Sequence, residues 1–150
     1  MNIGILAVQG AFIEHAHMIE QLGHTAIQLR QRDDLEGLDG IILPGGESTV
    51  QGQLLNKLDM MSDIRSMINN GLPVLATCAG LILLASHIAD DTTVHIGTLP
   101  VTVRRNAYGR QLSSFITNAD IKGIGSYPMT FIRAPYIESI TDGVEVLATI

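Results

Sequence analysis

The chain has 150 residues, 46% hydrophobic and 16% charged, which is enough apolar material to bury a core and excludes a disordered reading. Nine basic residues against fifteen acidic ones leave a net charge of −6, which argues against a grip on nucleic-acid phosphates. One cysteine excludes an internal disulfide framework and fits a reducing compartment, and no apolar run reaches the roughly 18 residues of a membrane span.

The N-terminus has no basic region before its apolar run, so it does not read as a signal peptide. The expectation is a cytoplasmic protein with no membrane and no nucleic-acid partner. Residues 3–8 are a continuous apolar run closed by Gln9-Gly10, the pattern of a strand buried on both faces. Residues 11–22 carry helical spacing through Phe12, Ile19 and Leu22, with Gly23 placed to end the helix. Thr25–Leu29 reads as a weaker strand nearer an edge, and Gly40–Leu43 as a third strand stopped by Pro44-Gly45-Gly46. Residues 54–69 are periodic through Leu55, Leu58, Met61 and Ile64, with a break into two helices expected at Asp59 or Ser62. Residues 73–77 predict a fourth strand, and 79–88 a very apolar, buried helix.

This βαβ rhythm predicts an open, mostly parallel sheet with helices on both faces. Beyond it, residues 96–103, 113–117, 129–132 and 144–148 read as strands joined by turns. They predict a mixed or antiparallel continuation within one domain spanning residues 1–150.

Four segments carry candidate chemistry. In the first, an apolar strand runs into Cys78 and an apolar helix starts at once, with small residues at Ala76, Ala79 and Gly80. That is the strand–nucleophile–helix elbow with cysteine as nucleophile. A helix N-terminus favours the thiolate, and the Ala79 N–H can serve an oxyanion. A structural cysteine closing a core strand remains the alternative. The second segment, Gly45-Gly46-Glu47-Ser48-Thr49, follows a strand at the sheet end where α/β folds bind ligands. It suits an anion cradle or a substrate clamp, although its spacing is not that of a Walker loop. A plain glycine turn capped by Ser48 is the alternative. The third, residues 104–110, holds three arginines suited to a carboxylate, or to a solvated turn. The fourth places Arg133 at a strand end before Pro135.

The five histidines, at 15, 17, 24, 87 and 95, read as surface or satisfied polar residues. His87 lies nine residues beyond Cys78 on the same predicted helix, roughly 13 Å along its axis and out of reach of the thiol. No Cys/His cluster has metal-ligand spacing, so neither a metal nor a cofactor is expected.

Taken in order, Ala7-Val8-Gln9-Gly10, residues 43–49, residues 76–81, Arg105-Asn106-Ala107-Tyr108-Gly109-Arg110-Gln111 and residues 131–135 resemble a known family. It is the glutaminase-subunit family of pyridoxal 5′-phosphate synthase, a vitamin B6 branch of the class I glutamine amidotransferases. The resemblance covers effectively the whole chain. It implies a flavodoxin-like α/β fold. It also implies hydrolysis of L-glutamine to glutamate and ammonia, with the ammonia passed to a synthase subunit as partner. Cys78 would form the thioester. Gly46, Glu47 and Ser48 would bind glutamine together with Arg105, Ile132 and Arg133, and Gly46 and Ala79 would supply oxyanion N–H groups.

Two features depart from the family. Ala76 stands where the family has glycine, a change expected to be tolerated. The family's catalytic histidine and glutamate lie in a His-Pro-Glu segment that this sequence lacks. The expectation is a C-terminally truncated domain, inactive on its own, and a catalytically dead binding module is the alternative function.

Overall fold

The computed structural model describes residues 1–105, 114–132 and 134–150. The N-terminal apolar run forms β1 (Asn2–Leu6), and Thr25–Leu29 forms β2. Gly40–Leu43 is β3 and Val74–Ala76 is β4. All four pair in parallel, in the order β2-β1-β3-β4, so β2 does lie at an edge. α1 (Phe12–Gln21) carries the chain from β1 to β2, and α2 (Ser48–Lys57) with α3 (Met61–Asn69) carries it from β3 to β4.

Alternation along the strands assigns the two faces. Ile5 and Ile42 pack with Ala16 of α1. Leu6, Ile41 and Leu43 pack on the other side with Leu55, Met60 and Ile64 of the α2–α3 region. Each fully buried Leu or Ile there contributes about 1.5–3 kcal/mol. The expected α/β sheet with helices on both faces is therefore present.

The break in the 54–69 pattern falls at Asp59, where φ is 55°. α2 begins earlier than its apolar period shows, because its first turns bury Ser48, Gln51 and Gly52 rather than aliphatic residues. The helix expected over 79–88 is a correction: α4 spans only Ala79–Leu84, and Ala85 turns extended with φ −58° and ψ 136°. β5 (Ala85–Ile88) follows and pairs in parallel with β6 (Leu99–Arg104). A short apolar run does not distinguish helix from buried strand by periodicity, and pairing with a strand more than ten residues on decides it.

β7 (Phe115–Ile121) and β8 (Gly125–Phe131) form an antiparallel hairpin, with Phe115 and Phe131 stacked at 4.9 Å between ring centres. β9 (Tyr136–Ile140) pairs antiparallel with β6. The second half thus builds a mixed three-stranded sheet, β5-β6-β9, and a separate hairpin. Residues 144–148, expected as a strand, are irregular. Val144 packs against the Ile82–Ala85 cluster, and the Leu147 carbonyl accepts the Lys122 N–H at 2.8 Å. Among the described residues no helix is long and apolar enough to cross a membrane.

Candidate active site

β1, β3 and β4 are parallel, so their C-terminal ends share one edge of the sheet. The strand order reverses between β1 and β3, the switch point where open α/β sheets leave a ligand crevice. Three loops leave that edge, at residues 7–10, 44–47 and 77–78.

Cys78 joins β4 to α4 with φ 48° and ψ −107°, and its thiol is free and exposed. That conformation is unfavourable for any residue with a Cβ, and strain of this kind clusters at functional sites. The surroundings hold it in place. The Thr77 N–H donates to the Leu43 carbonyl at 3.1 Å, and the Gly80 N–H donates to the Thr77 carbonyl at 2.8 Å. A Cβ on Gly80 would collide with the Leu43 carbonyl oxygen, so glycine lets α4 start directly over the end of β3. Ala76, the departure noted above, packs its methyl on the main core cluster. With six residues, α4 has a shorter dipole than the predicted helix would have carried.

The glycine loop lies against this elbow: a side-chain carbon placed on Gly45 would sit 3.5 Å from Cys78 Cβ. The β1 loop braces it. Gln9 Oε1 accepts the Glu47 N–H at 2.9 Å, and the Gly45 carbonyl accepts the Ala11 N–H at 3.0 Å. Gln51 Nε2 donates to the Gln9 and Pro44 carbonyls at 3.0 and 3.3 Å. The turn is not the Ser48-capped one. Ser48 is the buried first residue of α2, Glu47 is the N-cap, and no side-chain cap bond forms. Among the described residues the N–H groups of Gly46 and Ala79 have no acceptor. Two donors without a partner among the described residues thus stand at the glycine loop and at the first residue of α4, next to Gly45 and Cys78 respectively.

Arg105 also reaches this region. Its Nη1 donates to Thr49 Oγ1 on the first turn of α2 at 3.2 Å, and its Nη2 pairs with Asp91. Arg104 turns the other way and pairs with Asp90 and Glu138 at 2.6 and 2.7 Å. The Glu138 hydrogen bond, followed by that of Asp90, pushes the Arg104 guanidinium above its ordinary range. Ile132 follows β8 and is exposed, and no hydrogen bond or ion pair among the described residues joins it to the cluster. Residues 106–113 and Arg133 lie outside the described residues.

No histidine hydrogen-bonds Cys78 among the described residues. His87 is on β5, not on the helix of Cys78, and its Nδ1 lies 3.1 Å from Ser86 Oγ. His95, read from sequence as an unplaced loop residue, is buried against Gly52, and burial pushes its imidazole below the ordinary range. No group of three or more possible metal ligands occurs among the described residues. The sequence motifs included Gln9 and Thr49 without a role and did not include Asp91; a polar residue at a buried strand end was the available signal for Gln9.

Comparison with known proteins decides what this geometry belongs to. The family profile of the SNO glutamine amidotransferases matches residues 5–149. The chain belongs to the SNO glutamine amidotransferase family. The pyridoxal 5′-phosphate synthase subunit PdxT of Desulfitobacterium hafniense strain Y51 is 57% identical over 151 residues, covering 100% of this chain and 76% of the relative. The subunit of the same name from Streptococcus pneumoniae TIGR4 is 55% identical over 154 residues, covering 100% of this chain and 80% of the relative. A crystal structure of a glutamine amidotransferase superposes with a TM-score of 0.94 at 41% identity, covering 99% of this chain and 79% of that one. The PurLQS structure from Thermotoga maritima, 15% identical with a TM-score of 0.69 over 98% of this chain and 72% of that one, shares the fold. As an SNO glutamine amidotransferase the protein is a glutaminase-type enzyme.

Proposed function

We propose that this chain is the glutaminase subunit of a pyridoxal 5′-phosphate synthase: a single glutamine amidotransferase domain, cytoplasmic, working with a synthase subunit that consumes its ammonia. The observation that carries the reading is the 57% identity to a PdxT subunit across the whole chain. The strained Cys78 elbow supports it, with two N–H groups at Gly46 and Ala79 that have no acceptor among the described residues.

In this reading the Cys78 thiolate attacks the carboxamide carbon of L-glutamine. A C–S bond forms, and the Gly46 and Ala79 N–H groups take the charge on the carbonyl oxygen. The C–N bond then breaks, and the nitrogen leaves as ammonia, taking up by way of water the proton that the thiol gave up on forming the thiolate. Water attacks the thioester, releasing glutamate and returning the thiol. Gly46, Glu47 and Ser48 line the glutamine site, Arg105 and Arg133 hold the α-carboxylate, and Ile132 borders the substrate.

The test is Cys78→Ala in a chain supplied with the family's His-Pro-Glu segment, in the complex with the synthase. Ammonia release from glutamine should fall by about a thousandfold or more. Pyridoxal 5′-phosphate formation fed with an ammonium salt should persist. Undiminished ammonia release from the variant overturns the reading.

A further inference from the structure

We propose that Asp91 is a positioning residue for Arg105, fixing the guanidinium that receives the substrate carboxylate. This rests on the reading of Arg105 as a glutamine ligand. Asp91 is itself held on both oxygens. Its Oδ1 accepts the Thr93 N–H at 2.8 Å, and its Oδ2 pairs with Arg105 Nη2. Its own N–H donates to the Ile88 carbonyl at 3.2 Å, which ties the turn to the end of β5. The other arm of Arg105 rests on Thr49 Oγ1, next to Ser48 at the start of α2. One guanidinium is therefore pinned between the β5 turn and the first turn of the glycine-loop helix.

Exposure separates this pair from its neighbour. The Arg105 and Asp91 side chains are 29% and 27% exposed, whereas Asp90, the partner of Arg104, is 83% exposed. An exposed pair such as Asp90–Arg104 contributes little, while a shielded pair with a second anchor fixes geometry. An arginine already fixed in place loses less freedom when a carboxylate binds. The partners of the Asp91 carboxylate among the described residues are the Thr93 N–H and Arg105, and it has no hydrogen bond to Cys78, so acting through Arg105 its effect belongs in binding and not in the chemical step.

The experiment measures glutamine KM and kcat in the complex with the synthase, for the wild type, Asp91→Asn, Asp91→Glu, Arg105→Ala and the double variant Asp91→Asn/Arg105→Ala. Asp91→Asn should raise KM about tenfold, the size of coupling within one ion-pair network, and leave kcat within about twofold. Asp91→Glu should recover part of the loss, and the double variant should be no worse than Arg105→Ala. Asp91→Ser, too short to reach Arg105, should repeat the KM rise and replaces Asp91→Asn if that variant does not fold. An unchanged KM in Arg105→Ala overturns the substrate-ligand reading of Arg105 itself. A raised KM in Arg105→Ala with an unchanged or lowered KM in Asp91→Asn overturns the role of Asp91 alone. A lowered value there would mean that Asp91 competes with substrate. A drop in melting temperature without a KM change would show a structural role only, and also overturns it.

Discussion

At Cys78 the sequence and the backbone disagree, and the disagreement is informative. A φ of 48° with ψ −107° is territory for glycine, and the chain has glycine two residues later but cysteine here. The surrounding fold holds the strain: α4 sits on the end of β3 through Gly80, and the Thr77 N–H is tied to Leu43. This gives a stability prediction separate from activity. Cys78→Gly releases about 1–3 kcal/mol of backbone strain, offset by about 0.5–1 kcal/mol of extra entropy in the unfolded chain. Cys78→Gly should therefore be more stable than Cys78→Ala by about 1 kcal/mol, with both variants inactive. Urea midpoints of the two variants check it, and a glycine variant no more stable than alanine removes the strain argument.

At the scale of elements, helix α2 shows what could and could not be read in advance. β1, β3 and β4 were legible because each is an apolar run closed by glycine, proline or a small-residue turn, whereas β2, with Thr25 and Gln28 in it and Arg30 after it, read only as a weaker strand. The elbow and the glycine loop were legible because residue type and spacing carry them. The start of α2 was not, because Ser48, Gln51 and Gly52 are the residues its first turns bury. Gly52 is small so that the His95 ring can lie on it; a Cβ there would collide with the ring. The bracing of the site was not legible either, since it links residues 38 apart for Gln9–Glu47 and 56 apart for Arg105–Thr49. Packing His95 on α2 has a pH consequence. Its Nε2 is buried with no hydrogen-bond partner among the described residues, and burial lowers its pKa below the ordinary 6.5. In the window between the folded value and 6.5 the unfolded chain binds more protons, so stability rises with pH there. Acidification from pH 7 through 6.5 should therefore destabilise the protein, by at most about 1.4 kcal/mol per pH unit for this one proton. The loss levels off below the folded value. His95→Gln removes the proton, so its urea midpoint should fall less than the wild type's between pH 7 and pH 5. Equal pH slopes in the two proteins would remove His95 as the source.

For the molecule as a whole, the question is how the parallel sheet that carries the thiol is held to the β5-β6-β9 sheet that carries Arg105 and Asp91. Helix α4 is the connection. Leu83 is fully buried in the cluster beneath the parallel sheet, while its neighbour Ile82 belongs to the cluster of Ala85, Ile88, Val101 and Val103. The Leu83 carbonyl also accepts the N–H groups of Ile96 and Gly97, at 2.9 and 3.2 Å, just before β6. Six residues thus start next to Cys78 and end at the first strand of the second sheet. Truncating Leu83 removes packing where the two sheets share a helix. Leu83→Ala should lower stability by about 2–5 kcal/mol, as for other large-to-small core changes. If α4 couples the sheets, native-state hydrogen exchange should show lost protection at β3 and at β6 together. Arg105 should lose its fixed place at α2 to the same extent, raising glutamine KM in the variant. Faster exchange confined to β3, with β6 and KM unchanged, would mean that the second sheet holds Arg105 in place without help from α4.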